Sequence, residues 1–435
     1  MNTKLYENHL AILKEELVAA MGCTEPIAVA YAGAKAREIL GKMPEHCCVK
    51  CSGNIIKNVK GVTVPKSGGM RGIDVAATMG IVGGDASRKL AVLQTVTPGD
   101  LEQIRKMLKE NFCTCELIEG VENLYIIIEL TAGDENAVVE IKDHHTNITR
   151  IEKNHKVLFE KKEDSPEMET KKEMGNRDLL NLHNIIEFAD TVKISDLEPI
   201  LKPQIEFNTA IAQEGLKGEW GAEVGKILLE RAKGAERARL LSRAYAAAGS
   251  DARMSGCALP VVINSGSGNQ GITLTMPVVV YANELDASQE LRYRALAVAN
   301  LISIHQKKYI GSLSAYCGAT SAACGAACGI AYLMYKGKIS EEKFYQMIGN
   351  TITNSICTVG GMVCDGAKSS CAAKISIAVE TALQALDMSI HQCVFQPGEG
   401  LSMSTAEKTS ATVGRMARVG MKSTDVEILN IMLGS

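Results

Sequence analysis

The chain has 435 residues, of which 46% are hydrophobic, 22% charged and only 4% aromatic, with a formal net charge of −3. That length suits two or three domains, or one large domain with a smaller partner, and it can bury a sizeable core. The balanced charge argues against a nucleic-acid binder, which carries a basic stripe, and no window reaches the roughly 20 uninterrupted apolar residues that span a bilayer.

Residues 3–20 read as a charged amphipathic helix rather than a signal peptide, so a soluble, cytoplasmic protein is expected. Positions 21–26 interrupt the pattern and 27–40 resume it. The Gly-, Ser- and Val-rich stretch 48–72, CVKCSGNIIKNVKGVTVPKSGGMRG, reads as strand and loop. Short helices are expected at 74–82 and 85–95, and a third at 101–111. Strand-like runs follow at 113–118, 124–131 and 137–141, with 147–157 as a fourth candidate. The polar segment 161–177 has no apolar period and reads as a linker. Beyond it the composition turns helical: 179–192, 195–214, 222–248, 288–306, 319–336, 340–356, 372–386 and 405–419. The expected fold is α+β, with a mixed α/β part and small antiparallel sheet over 1–160, and a larger, mostly helical part over 178–435. Abundant Ala and Gly favour closely packed helices, and such apolar, small-residue helices suit a homodimer.

The chain has fourteen cysteines. In a reducing cytosol cysteines point to metal or catalysis rather than disulfides, although many serve as small buried hydrophobes. Six crowd between positions 317 and 371, in SAYCGATSAACGAACG and NSICTVGGMVCDGAKSSCAAK. Glycine lets backbone approach a bulky inorganic group closely. The spacing fits neither a common zinc site nor the ferredoxin run. A packed seam of small residues is the alternative, and Cys324 and Cys328, four apart in an Ala-rich helix, suit it well.

Cys23 lies in AAMGCTEPIAVAYAGAKA, where Thr24 is a candidate N-cap and Pro26 suits a first helical turn. A thiol at a helix N-terminus is expected to have a depressed pKa and to serve as base or nucleophile. The alternative is a buried cysteine at a helix corner. The segment NSGSGNQG, 264–271, offers amides and hydroxyls to a small carboxylate through Ser265, Ser267 and Asn269, or is simply a tight loop. Its G-x-G-x-x-G spacing alone is weak evidence for a dinucleotide site. The loop PKSGGMRG, 65–72, is a second candidate, with Arg71 or Lys66 pairing a carboxylate or remaining a solvated charge.

Taken together, GCTEP, SGSGNQG and the two late cysteine segments resemble the L-cysteine desulfidase family, which is related to the α subunits of iron–sulfur L-serine dehydratases. The resemblance covers nearly the whole chain, with the motifs in the family's order. It implies a [4Fe–4S] cluster held by Cys317, Cys357 and Cys364, with the fourth iron open to substrate, and Cys23 as the catalytic cysteine. Cys357-x₆-Cys364 is tighter than the dehydratase spacing, which favours the desulfidase branch. The implied reaction is β-elimination of L-cysteine to sulfide, pyruvate and ammonia: iron acts as Lewis acid and the Cys23 thiolate removes the α-proton. L-Serine dehydration by the same chemistry and a non-catalytic iron–sulfur or ligand-sensing protein are the alternatives. The base must come within about 3–4 Å of the substrate α-carbon, so the N-terminal helices are expected to pack on the C-terminal helical part, or on that of a partner subunit.

Overall fold

The chain opens with α1 (Thr3–Glu16), capped by Asn2, whose side chain accepts from Leu5 N–H at 2.9 Å. The computed structural model describes residues 1–161, 175–311 and 313–434; most of the expected linker lies outside them. After α1 come β1 (Ala19–Met21), α2 (Thr24–Leu40), β2 (His46–Ser52), α3 (Gly53–Lys60), α4 (Ile73–Gly83) and α5 (Pro98–Lys109). Thr97 and Asp100 close α5 with a reciprocal capping box. Five strands follow: β3 (Cys113–Ile118), β4 (Tyr125–Ala132), β5 (Glu135–Lys142), β6 (Ile148–Lys153) and β7 (Lys156–Glu160).

These strands and β2 form one sheet in the order β3-β2-β4-β5-β6-β7. Only β2 and β3 run parallel, and the crossover that parallel pairing requires is supplied by α3, α4 and α5. Alternate residues of β4 and β5 point inward, so Ile126, Ile128, Val139 and Ile141 pack in one core with α2 and α4. The two helices nearly touch: a Cβ on Gly80 would fall 2.0 Å from the Ala30 carbonyl oxygen.

The second half is helical: α6 (Leu182–Thr191), α7 (Ile194–Lys217), α8 (Val224–Glu230), α9 (Arg237–Met254), then β8 (Pro260–Val262), α10 (Gly268–Glu284), α11 (Gln289–Ile310), α12 (Gly318–Tyr335), α13 (Glu341–Thr358), α14 (Cys371–Ile390), α15 (Ala406–Arg415) and α16 (Lys422–Leu433). They surround a larger core in which Cys324 and Cys328 are fully buried. Ile12 and Leu13 of α1 belong to this second core, while Leu429 of α16 reaches back into the first. The fold is therefore α+β, as expected, with each end of the chain packed against the opposite part. Among the described residues no helix is long and apolar enough to cross a membrane.

Three local expectations are corrected, and one element is added. Within 48–72, Gly53–Lys60 is helical, with Ile55, Ile56 and Val59 buried. The run 147–157 is not one strand: Asn154 and His155, at φ 51° and 63°, turn it into the β6–β7 hairpin. The run 222–248 divides at a short turn where Gly234 has φ 64°. The apolar run after NSGSGNQG is helix α10, buried on nearly every side.

Candidate functional site

Two short antiparallel pairings build the site. In the first, β1 pairs with β8, Met21 opposite Pro260 and Ala19 opposite Val262. The chain leaves β1 into Cys23 and leaves β8 into the loop Asn264–Gly271, so the two motifs meet although they are far apart in sequence. Thr24 Oγ1 donates to the Gly266 carbonyl at 2.9 Å and fastens them. The loop is a tight turn: Asn264 and Ser267 exchange backbone hydrogen bonds at 3.1 Å, and Ser265 and Gly266 between them have φ 49° and 76°. Buried Asn264 anchors it, accepting from Ser265 and Ser303 hydroxyls and donating to Asn300. The strand–turn–helix order is not a dinucleotide fold, because β8 is three residues long and antiparallel to its neighbour.

The second pairing is the bridge between Tyr316 and Val363. Cys317 N–H donates to the Met362 carbonyl at 3.0 Å and Cys364 N–H to that of Ala315 at 2.6 Å, so one bridge delivers both cysteines. A cavity of about 120 Å³ lies between the two pairings. Cys23, Ser265, Ser267, Asn269, Cys317 and Cys364 line it, joined by Cys371 and Lys374 of α14 and by Arg253 at the end of α9. His145, from the β5–β6 connection, reaches it from the sheet side. Cys371 and Cys23 pack in one small cluster with Val62 and Met254.

Two of the candidate residues lie elsewhere. Cys357 stands in the last turn of α13, half-buried, and is not among the lining residues. Arg71 is exposed, its Nε donating to Thr63 Oγ1 at 3.4 Å, on a loop whose Pro65 packs against Gly22.

The electrostatics differ from the simple helix-dipole expectation. Cys23 is itself the N-cap of α2. Its thiol donates to Glu25 Oε2 at 3.0 Å, and burial, reinforced by the Glu25 carboxylate and opposed by Arg253, pushes its pKa well above the ordinary thiol value. Burial, then the adjacent Cys364, pushes Cys317 up to about 12; burial, then Cys324, pushes Cys357 up to about 11. Lys307, also on the cavity wall, is pushed down to about 8 by burial, while the Cys364 and Cys317 sulfurs pull the other way. Asp365 remains below the usual carboxylate range: burial opposes this, but the ammonium groups of Lys368 and Lys374 outweigh it.

Among the described residues no three His, Cys, Asp or Glu side chains are placed so as to hold a metal ion as they stand. The donors suit iron by type: soft sulfur ligands, two of them delivered side by side, in glycine-rich backbone. Cys317 and Cys364 would supply two ligands to an iron–sulfur group; a third would have to come from Cys371, on the cavity, or Cys357, off it. The cavity residues that could not be found in the sequence are Arg253 and His145; Glu25 and Gln270 lie within the GCTEP and NSGSGNQG motifs. Arg253 reads there as an ordinary surface charge near a helix end, and His145 as half of a polar HH turn.

The serine dehydratase alpha chain model matches residues 87–430. A UPF0597 protein of Lachnoclostridium phytofermentans is 47% identical over 429 residues, covering 99% of this chain and 100% of that one. UPF0597 proteins of Finegoldia magna and Fusobacterium nucleatum are 46% and 44% identical, each matching 98–99% of this chain and 99–100% of their own length. The chain belongs to the serine dehydratase alpha chain family, among relatives named UPF0597 proteins.

Proposed function

We propose that the protein is an iron–sulfur-dependent lyase that performs β-elimination on a small α-amino acid, with L-cysteine as substrate and sulfide, pyruvate and ammonia as products. The observation that carries this reading is that Cys23, Cys317 and Cys364 line one cavity. Cys317 and Cys364 would hold a [4Fe–4S] cluster there, and such a cluster would supply Lewis acidity toward the leaving group. The chain's own residues do the rest. Cys23 Sγ and Glu25 Oε2 act as a dyad: the thiol passes its proton to the carboxylate, and the thiolate then takes the substrate α-proton. Positively charged Arg253 favours the thiolate at that moment. The C–S bond breaks with its electron pair on sulfur, and the aminoacrylate released tautomerises to an imine that water hydrolyses. The buried walls keep water from the α-carbon until then. Ser265, Ser267 and Asn269 border the substrate; Arg71, exposed on its loop, has no place in this mechanism.

L-Serine dehydration by the same steps is the second reading, favoured by the family match. Pyruvate release from L-cysteine and L-serine, assayed under anoxia, separates the two. Iron per chain, measured alongside in C317S, C364S, C357S and C371S, tests the ligands. Loss of iron in C317S and C364S, and in one of the other two, supports the reading. Unchanged iron in all four, with no pyruvate from either substrate, rejects it. C23S is expected to keep its iron and lose turnover.

A further inference from the structure

Among the described residues, four buried polar atoms on residues lining the cavity have no hydrogen-bond partner: Arg253 Nε, Gln270 Oε1, His145 Nε2 and Tyr316 Oη. Buried polar groups in folded proteins are nearly always bonded, so four orphans around one cavity call for a polar ligand. Arg253 is the decisive one. It is 2% exposed, its hydrogen bond is Nη1 to the Asn269 side-chain oxygen at 3.1 Å, and among the described residues no carboxylate pairs with it. A guanidinium does not shed its charge on burial, and a buried charge is paired or costly. The backbone also keeps a lane open for it: a Cβ on Gly268 would fall 2.3 Å from Arg253 Nε and 2.7 Å from Cζ. Acceptors stand in the same cavity. Glu25 is 8% exposed and Gln270 6% exposed, and among the described residues Cys23 and Thr24 engage Oε2 of the Glu25 carboxylate.

We propose that Arg253, Glu25 and Gln270 form a receptor for the zwitterionic head group of an α-amino acid: the Arg253 guanidinium binds the α-carboxylate, and Glu25 and Gln270 accept hydrogen bonds from the α-ammonium. His145 Nε2 closes the receptor from the sheet side. The Cys23 thiol, bonded to Glu25, is thereby beside the α-carbon of whatever amino acid is held. The proposal deepens the lyase reading by naming the groups that select its substrate. Binding itself requires no elimination.

The test uses the full chain, prepared anaerobically, and calorimetric titration with L-alanine, which has no β-leaving group, and with propionate, which lacks the amine. The wild type should bind L-alanine, and propionate at least about 30-fold more weakly. R253Q should lose about 100-fold in L-alanine affinity, the scale expected when one member of a buried charge pair is truncated, with R253K in between. Q270L should narrow the preference for L-alanine over propionate, and it carries the test if neither Arg253 variant folds by circular dichroism. Folded Arg253 variants that bind L-alanine as the wild type does would overturn the proposal. So would a wild type that binds propionate equally well or L-alanine not at all, or an unchanged preference in Q270L. If these binding results hold while neither L-cysteine nor L-serine is turned over, the receptor stands and the lyase reading falls.

Discussion

Replacing Lys57 by Met tests how the sheet-bearing part holds the cysteine loop. Lys57 lies on α3 with its side chain 1% exposed, and its ammonium group pairs with Asp425 of α16, which is 12% exposed. The same group donates to the Cys364 carbonyl at 3.2 Å. One cation thus joins α3, the C-terminal helix and the backbone that carries a cavity cysteine. K57M leaves a largely buried carboxylate without its partner, a loss of about 3–5 kcal/mol. With a urea m-value near or somewhat above about 3 kcal/mol/M, the unfolding midpoint should fall by about 1 M. In the double variant K57M/D425L no charge is orphaned, so at least half of that loss should return. Hydrogen exchange should quicken in 363–368 for both variants, because each loses the bond to the Cys364 carbonyl. A K57M midpoint within about 0.3 M of wild type, or a double variant less stable than both singles, would refute the reasoning.

Three further outcomes are expected. Because burial and the Glu25 charge hold the Cys23 pKa high, iodoacetamide followed by mass spectrometry should label Cys23 after exposed Cys115, whose pKa is lowered by its bond with Cys51, and E25Q should move Cys23 labelling to lower pH. His305 is buried, among the described residues both its ring nitrogens lack partners, and burial followed by the Lys308 charge lowers its pKa to about 3. Its unfolded value is about 6.5, so its neutral form contributes stability that is complete above that pH and is lost as pH falls through the window between 6.5 and 3; by pH 4.5 the loss is about 2–3 kcal/mol, and urea midpoints of H305F should be flatter over that range than those of wild type. G268A puts a methyl group against Arg253 Nε, and titration should show L-alanine affinity reduced about 10-fold or more with helix content unchanged.

The sequence made the start of α13 legible at its capping Ser340, whereas the capping box at Thr97–Asp100 went unread and α5 begins three residues before the expected 101. It also singled out Cys23, the NSGSGNQG turn and the late cysteines, whose glycines and small neighbours advertise close backbone approach. What it hid has physical causes. Gly53–Lys60 carries β-branched residues and Asn, and only its tertiary packing makes it helical. Helix α10 is buried on nearly every side, which erases the period that marks an amphipathic helix. Strands β1 and β8, three residues each, are too short to register as a pattern, yet they bring Cys23 to its loop. Arg253 carries no local sign of its burial, since the walls around it come from distant segments, whereas Arg71 looked equally suitable and stayed in solvent.

The cavity is walled by a residue near position 23 and by others beyond position 360. During synthesis the first thiol emerges long before its neighbours exist, and the enclosure is complete only after the start of α14 has left the ribosome. Any group seated between Cys23 and Cys364 is therefore walled in only once the last quarter of the chain has been made.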